Sequence, residues 1–359
     1  MKKRIIFLVL AVCAIINLPA QQQFNVQNGT KTEFYDDLET AISKTAAGDT
    51  IYLPGGIIEV SSNITINKQL AMIGAGWDTD SIGGLNKTEL RIKGATTANA
   101  GIIFRTGSDG SLLTGCELGS ITLGLNTESN TIQNVTIWRN KTNGNVVLGA
   151  GTTNNIKNIF IKENYIVGAI DGQLASDCWI NNNLIGCTYI GNNVSISIQN
   201  LNNSYIYNNV LYCSNYAFKS LKECFIENNF IVATYVNSYD NSVNNCSFNN
   251  NAFASSGISF PNGMNGTNTG TDNLINQETV KTFQVNDFTS PKNLVILDES
   301  PCKKAGTDGT DIGIYGGNTP YKAGAVPFNP HINKAFVSLR TDDGGSKLKV
   351  DITVSAQDR

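Results

Sequence analysis

One feature constrains this chain more than any other: an apolar residue followed three positions later by Asn, over and over. The pairs are Ile137 and Asn140, Ile161 and Asn164, Ile180 and Asn183, Ile206 and Asn209, Ile226 and Asn229, and Phe248 and Asn251. Successive Asn lie 24, 19, 26, 20 and 22 residues apart. That period suits one coil of a parallel β-solenoid, with a few short strands and turns per coil. Two more columns keep the register. Val135, Ile159, Cys178, Ser204, Cys224 and Cys246 stand two residues before the key apolar position. Ile166, Ile185, Leu211, Ile231 and Phe253 stand two residues after the Asn. All are small or apolar, so strand alternation points both columns inward. Stacked coils lie about 4.8 Å apart, within reach of one Asn amide for the next. An amide ladder at a turn accounts for the 47 Asn of this 359-residue chain.

Solenoid ends expose apolar core and sheet edges and need caps. Phe34, Leu38, Ala41 and Ile42 fall on one helical face, and Asp36, Asp37 and Glu39 enrich the first turn, where the helix dipole favours anions. This predicts an amphipathic capping helix ending at Gly48-Asp49, then a strand from Thr50 to Leu53.

The runs Asp37-Leu38-Glu39-Thr40-Ala41-Ile42 and Ala47-Gly48-Asp49-Thr50-Ile51-Tyr52-Leu53-Pro54-Gly55-Gly56 resemble the opening of pectate-lyase-like right-handed parallel β-helix proteins. So does Leu70-Ala71-Met72-Ile73-Gly74-Ala75-Gly76, after a strand at Ile64 to Ile66. Ser300-Pro301, Ala305-Gly306, Asp308-Gly309-Thr310-Asp311-Ile312-Gly313 and Tyr315-Gly316-Gly317 resemble the closing coil of bacterial members. The resemblance spans residues 34–317 and implies an all-β, right-handed, single-stranded parallel β-helix of about ten coils. It says little of function, because this fold carries lyases, hydrolases, epimerases, adhesins and spikes.

The expected organisation has three parts. Residues 1–20 read as a signal peptide: Lys2, Lys3 and Arg4, then an apolar run from Ile5 to Ile16, then Leu18-Pro19-Ala20. A lipoprotein signal at Cys13 is the rival, disfavoured by bulky Val12 and the shortened apolar run. Residues 21–317 form the β-helix with its cap. Residues 318–359 are a Pro-containing linker and a β tail, in which Ala335 to Leu339 and Leu348 to Val354 alternate as a hairpin. That tail is similar to tails on exported proteins of Bacteroidetes-type bacteria. No later stretch is long and apolar enough to span a bilayer as a helix. The expected location is outside the cytoplasm: extracellular, on the cell surface or in the periplasm.

Composition excludes several functions. With 26 Lys+Arg against 29 Asp+Glu, the net charge is −3 and there is no basic run, so nucleic acid is a poor partner. A lone histidine, His331, argues against multi-His metal sites and Ser-His-Asp chemistry. Seven cysteines follow the signal segment. Cys178, Cys224 and Cys246 share one inward column and Cys187 and Cys213 another, which favours buried free thiols. A Cys224–Cys246 disulfide between adjacent coils is the alternative.

Members of the resembled family remove a proton beside a uronate carboxylate, with a Lys or Arg base and a cation as neutraliser, or hydrolyse glycosides with paired carboxylic acids. The polar candidates on the strand following the Asn ladder are Asp171, Gln173, Ser197, Gln199, Lys219, Asn237, Tyr239 and Asp240. Asp171 and Lys219 lie two coils apart, about 10 Å, and form the candidate catalytic pair. There is no paired-Asp motif; no cofactor is expected, with calcium the alternative left open although no clear site for it is visible. Arg139, Lys162 and Glu163 read as surface decoration. A stronger signal is Phe160, Trp179, Tyr205 and Phe225, one position before the key apolar residue on four successive coils, hence outward-facing. Trp138 and Tyr207 belong to the same face. This strip either binds sugar rings or a surface protein, or is covered by the tail or by the loop from Asn262 to Thr271. The leading expectation is non-catalytic recognition of an extracellular polysaccharide. The alternatives are a polysaccharide lyase or hydrolase, and a surface adhesion or assembly protein.

Overall fold

The computed structural model describes residues 22–78, 86–151, 153–186, 195–233, 235–237, 242–255, 267–322, 326, 331–341 and 347–355. The signal segment, Cys187, Tyr239 and Asp240 lie outside these residues.

The chain is a parallel β-solenoid with three sheets running along its length. Each coil contributes a strand to a first, a second and a third face in turn. Eight coils carry a strand on all three faces, from Asp49–Tyr52, Gly56–Val60 and Ile64–Ile66 to Phe225–Glu227, Phe230–Val232 and Tyr235–Asn237. Two partial coils follow, at Ser247–Asn249 with Ala252–Phe253 and at Thr269–Thr271. The register is that of the repeat: Ile137, Ile161, Ile180, Ile206, Ile226 and Phe248 pair in one file. Both expected inward columns are buried throughout, from Val135 to Cys246 and from Ile166 to Phe253.

The Asn ladder joins the first face to the second. Asn140 Nδ2 donates to Asn164 Oδ1 at 3.3 Å, Asn164 to Asn183 at 3.0 Å, and Asn183 to Asn209 at 3.0 Å. Asn209, Asn229 and Asn251 continue it at 3.0, 3.0 and 3.1 Å to a further rung, Asn273. Each amide oxygen also accepts the backbone N–H of the Asn one coil before, as Asn209 Oδ1 does from Asn183 at 3.0 Å. These buried amides are therefore satisfied by side chain and backbone together.

Asparagine has a second task. The residue before each ladder Asn has left-handed backbone: Arg139, Glu163, Asn182, Asn208, Asn228 and Asn250, with φ between 51° and 55° or at 56°. The turn from the third face into the first repeats this at Asn134, Asn158, Asp177, Asn203, Glu223 and Asn245, with φ from 40° to 60°. Asn tolerates that region better than most residues with a Cβ. After this second corner comes the Val135-to-Cys246 column, whose polar members imitate the ladder. Cys178 N donates to Ser204 Oγ (3.1 Å), Cys224 N to Cys246 Sγ (3.4 Å) and Cys246 N to Asn268 Oδ1 (2.9 Å). Cys224 and Cys246 are free thiols, as are Cys116, Cys178, Cys213 and Cys302, all buried.

The helix at Leu38–Lys44 caps the N-terminal end, buries Leu38 and Ala41, and has Asp37 as its N-cap, whose Oδ1 accepts Thr40 N at 2.7 Å. Phe34, expected on that helix, lies instead in the strand Lys31–Tyr35 and is exposed. Phe24–Asn28 pairs antiparallel with both Lys31–Tyr35 and Asp49–Tyr52, so a hairpin covers the first face's edge. At the far end, residues 300–317 do not close the solenoid as a coil. They fold back along the second face, where Tyr165, Leu184, Val210, Phe230 and Ala252 point outward into a second apolar cluster with Phe283, Leu294, Ile296, Ile312, Ile314 and Tyr321. The strands His331–Thr341 and Leu348–Ser355 pair antiparallel as a separate two-stranded sheet.

Removing one rung tests the ladder. Asn209→Ala leaves the Asn183 backbone N–H without its acceptor and takes the side-chain donor from Ile180 O and Asn229 Oδ1, the latter keeping the residue 209 N–H, so it is expected to cost about 2 kcal/mol, read as a lowered denaturation midpoint. Asn245→Ala, at an exposed left-handed position, is expected to cost about 1 kcal/mol. Thiol labelling mapped by mass spectrometry gives a second check: the six described cysteines stay unlabelled in native protein and label in denaturant.

Candidate functional site

The first face presents two outward columns because strand alternation exposes every second residue. One holds Phe160, Trp179, Tyr205 and Phe225, paired in register on consecutive coils. Their rings stack face to face, with centroids 5.0, 5.6 and 4.9 Å apart and planes within 13°. The column is half-buried at Phe160 and Trp179 and exposed at Tyr205 (39%) and Phe225 (42%). The chain folding back from residue 300 covers the second face, and residues 262–266 of the loop expected over this ridge lie outside the described residues. Each ring is in part covered by its neighbours.

The parallel column, two residues further along each strand, is Trp138, Lys162, Asn181, Tyr207, Glu227, Asn249 and Thr271. Its upper part is a hydrogen-bonded chain: Asn249 Nδ2 donates to Glu227 Oε1 at 3.0 Å, and Thr271 Oγ1 donates to Asn249 Oδ1 at 2.9 Å. Burial pushes the Tyr207 hydroxyl above its ordinary pKa. Trp138, expected on the exposed face, is buried at 7% exposure. It lies beneath Lys162 Nζ (4.2 Å from the ring centre) and the Arg139 guanidinium (4.4 Å), and its Nε1 donates to Glu163 Oε1 at 2.9 Å. Burial pushes the Lys162 amine below the usual lysine value; Glu163 opposes this and Arg139 adds to it.

Arg139 and Glu163 are not surface decoration. They are 1% and 2% exposed and form an ion pair, Nε to Oε2, at 2.8 Å. What buries them is the returning chain. Arg139 Nη1 donates to Val326 O at 2.9 Å, and Lys322 N donates to Glu163 Oε2 at 3.3 Å. The same outer corner holds that chain all the way down: Asn250 donates to Ala305 O, Asn228 to Thr307 Oγ1, and Asn182 to Ile314 O and Gly316 O, all at 2.9–3.0 Å. The left-handed corner residues therefore dock the C-terminal chain against the second face. No local signal in the sequence marks Arg139 and Glu163 as buried, because their cover arrives from some 160–190 residues away.

On the third face, Asp171, Gln199 and Lys219 pair in one column, so the candidate pair is aligned with a glutamine between. The Asp171 carboxylate accepts from Gln173 Nε2 (2.8 Å), Gln199 Nε2 (2.9 Å) and Asn200 Nδ2 (2.8 Å), with Gln173 N at 3.2 Å. Ser197 points inward and is fully buried. Asn237 lies in the strand pairing with Phe218. A further charge cluster sits on the second face: Lys87 bridges Glu89 (3.0 Å) and Glu117, and Lys141 reaches Glu117 at 3.1 Å. Burial would raise the Glu89 carboxyl, but hydrogen bonds from Arg91 and Lys87 outweigh it and hold it below its ordinary value. Among the described residues there is no group of three or more His, Cys, Asp and Glu placed to hold a metal, and no helix long and apolar enough to cross a membrane.

No protein-family model matches the chain, and no curated protein does. Among solved structures it is similar to ORF18 of Geobacillus virus E2, at 15% identity and a TM-score of 0.27, over 66% of this chain and 56% of that one. The chain thus spans little more than half of that protein's length. So distant a likeness carries no argument about function. The class to which the chain belongs, the parallel β-solenoid, rests on its own strand pairing.

The docking role of the corner is testable through the buried pair. Arg139→Met strands the Glu163 carboxylate and is expected to cost roughly 3–5 kcal/mol in chemical denaturation. Removing the exposed Lys222–Glu223 pair is expected to change stability by less than about 1 kcal/mol.

Proposed function

We propose that this is an exported protein of the pectate-lyase-like β-helix kind that recognises an extracellular polysaccharide on its first face, without turning it over. The export signal read in residues 1–20 and the opening motif at Asp37 to Gly56 support the first part. The observation that carries the second is the aromatic ridge Phe160–Trp179–Tyr205–Phe225, partly exposed and flanked by a polar column on the same strands. An apolar stacking surface beside hydroxyl, amide and carboxylate groups suits a sugar ring, whose faces carry C–H groups and whose rim carries hydroxyls. The enzymatic reading has less support. Asp171 is already engaged by three side-chain amides, and its partner Lys219 is a coil beyond Gln199.

A second reading has one observation in its favour. Leu348, Val350, Ile352 and Val354 form an exposed apolar row along one tail strand, as a protein that docks another surface protein would carry.

The test is affinity electrophoresis and calorimetry against neutral and acidic polysaccharides, with reducing ends and unsaturated products followed in parallel. Retardation by at least one glycan without product is expected, with affinity falling at least about tenfold in the Tyr205→Ala/Phe225→Ala double variant. No binding anywhere in the panel would overturn the proposal. Product lost in Lys219→Ala would move the function to the third face.

A further inference from the structure

The ridge cannot work as a row of four stacking platforms. A ring inserted between two aromatic faces needs van der Waals distance on both sides, about 7–8 Å in all. The observed centroid separations of 4.9–5.6 Å leave no such space. Trp179 and Tyr205 therefore offer solvent only their edges. A flat ring can stack only where the column ends. At the lower end, Phe160 is only half-exposed and pairs with Thr136, beside the covered Trp138. At the upper end, Phe225 is the most exposed ring, and the column drops from an aromatic to Ser247 and then Thr269. The ridge ends there in a step.

Resting on the polysaccharide reading, we infer that this step is a sugar-binding notch for one neutral pyranose residue. The exposed Phe225 ring is its wall, Ser247, whose hydroxyl is itself buried, and Thr269 are its floor, and Glu227, Asn249 and Thr271 form its polar side. The charge of the occupant follows from the side wall. Glu227 Oε1 is engaged by Asn249 Nδ2. Its carboxylate is an acceptor only, suited to hydroxyl donors and repelling a uronate carboxylate. The exposed Thr271 hydroxyl and the Asn249 amide present further donors and acceptors at sugar-rim height. A notch one ring wide reads a chain end or a pendant branch and not an internal run of backbone. Inward-facing Phe248, directly behind Ser247, fixes the floor.

The register supplies a discriminating variant. Ser247→Phe places a fifth ring on Phe225 and fills the step while lengthening the ridge. The probes are dextran, xyloglucan, galactomannan and polygalacturonate, run with wild type, Ser247→Phe, Phe225→Ala and, as a third-face control, Lys222→Ala, with thermal melts alongside. The expected result is retardation of wild type by a neutral glycan, a loss of at least tenfold in affinity for Ser247→Phe with its melting transition intact, the same loss for Phe225→Ala, and wild-type binding for Lys222→Ala. Undiminished or stronger binding by Ser247→Phe would overturn the notch and leave ridge recognition standing. Binding of polygalacturonate alone would overturn the neutral assignment. No binding by wild type would sink both. Should Ser247→Phe fail to fold, Phe225→Ala decides by the same criterion.

Discussion

The whole molecule depends on a coil-to-coil hydrogen bond made by a side chain as if it were backbone. At the corner between the first and second faces the chain turns through a left-handed residue, and the next Asn points into the interior. Its amide then donates to the Asn above and accepts from the peptide below. Strand pairing alone would hold the flat faces, but a corner breaks the ladder and strands buried polar groups, each costing about 1–3 kcal/mol if unmet. The Asn file closes those breaks, coil after coil. Because it also fixes register, residues about twenty apart in sequence become vertical neighbours, and every other column inherits its alignment.

That alignment divides the surface by use. The second face is given over to packing: its outward column is apolar from Tyr165 to Ala252 and is sealed by the returning chain. The third face carries a polar column in which Asp171 and its amide partners satisfy one another. The first face keeps its stacked aromatic row in contact with solvent at Tyr205 and Phe225. The corner residues serve both sides of this arrangement. Asn182, Asn228 and Asn250 shape the coil through their backbone and fasten the C-terminal chain through their side chains.

How much of this is legible in the sequence follows from what is local and what is periodic. The repeat gives the solenoid, its inward columns, the ladder and the outward aromatic file, because each depends only on spacing and alternation. The capping helix is legible from Leu38, Ala41 and the acidic residues before them, although Phe34 belongs to a strand that periodicity could not separate from the helix. What escapes is everything decided by chain returning from afar. Arg139, Glu163 and Trp138 have the surface pattern of their strand and corner, yet Lys322 and Val326 arrive over Arg139 and Glu163, and Arg139 and Lys162 lie over Trp138. The stretch from Ser300 to Gly317 likewise has the texture of a coil, yet its Ile312 and Ile314 find their partners on the outside of the second face. The stacking of the aromatics on one another is hidden for a different reason. Spacing places the rings in a file, but their tilt decides whether a file is a set of platforms or a closed pile.

A solenoid also limits where a binding site can arise. Along any column the coils repeat at one spacing, so a uniform column makes a uniform ridge or floor with no concavity of its own. Concavity needs a change of side-chain size between consecutive coils. In the aromatic file that change comes at Thr136 to Phe160 and at Phe225 to Ser247, and nowhere between. The lower step stands beside Lys162, whose amine already lies over the Trp138 ring. The upper step stands beside a hydrogen-bonded row whose acidic member is half-exposed. The two ends of one ridge therefore differ in charge as well as in access, and the fold that makes every coil alike leaves recognition to the places where the repeat breaks.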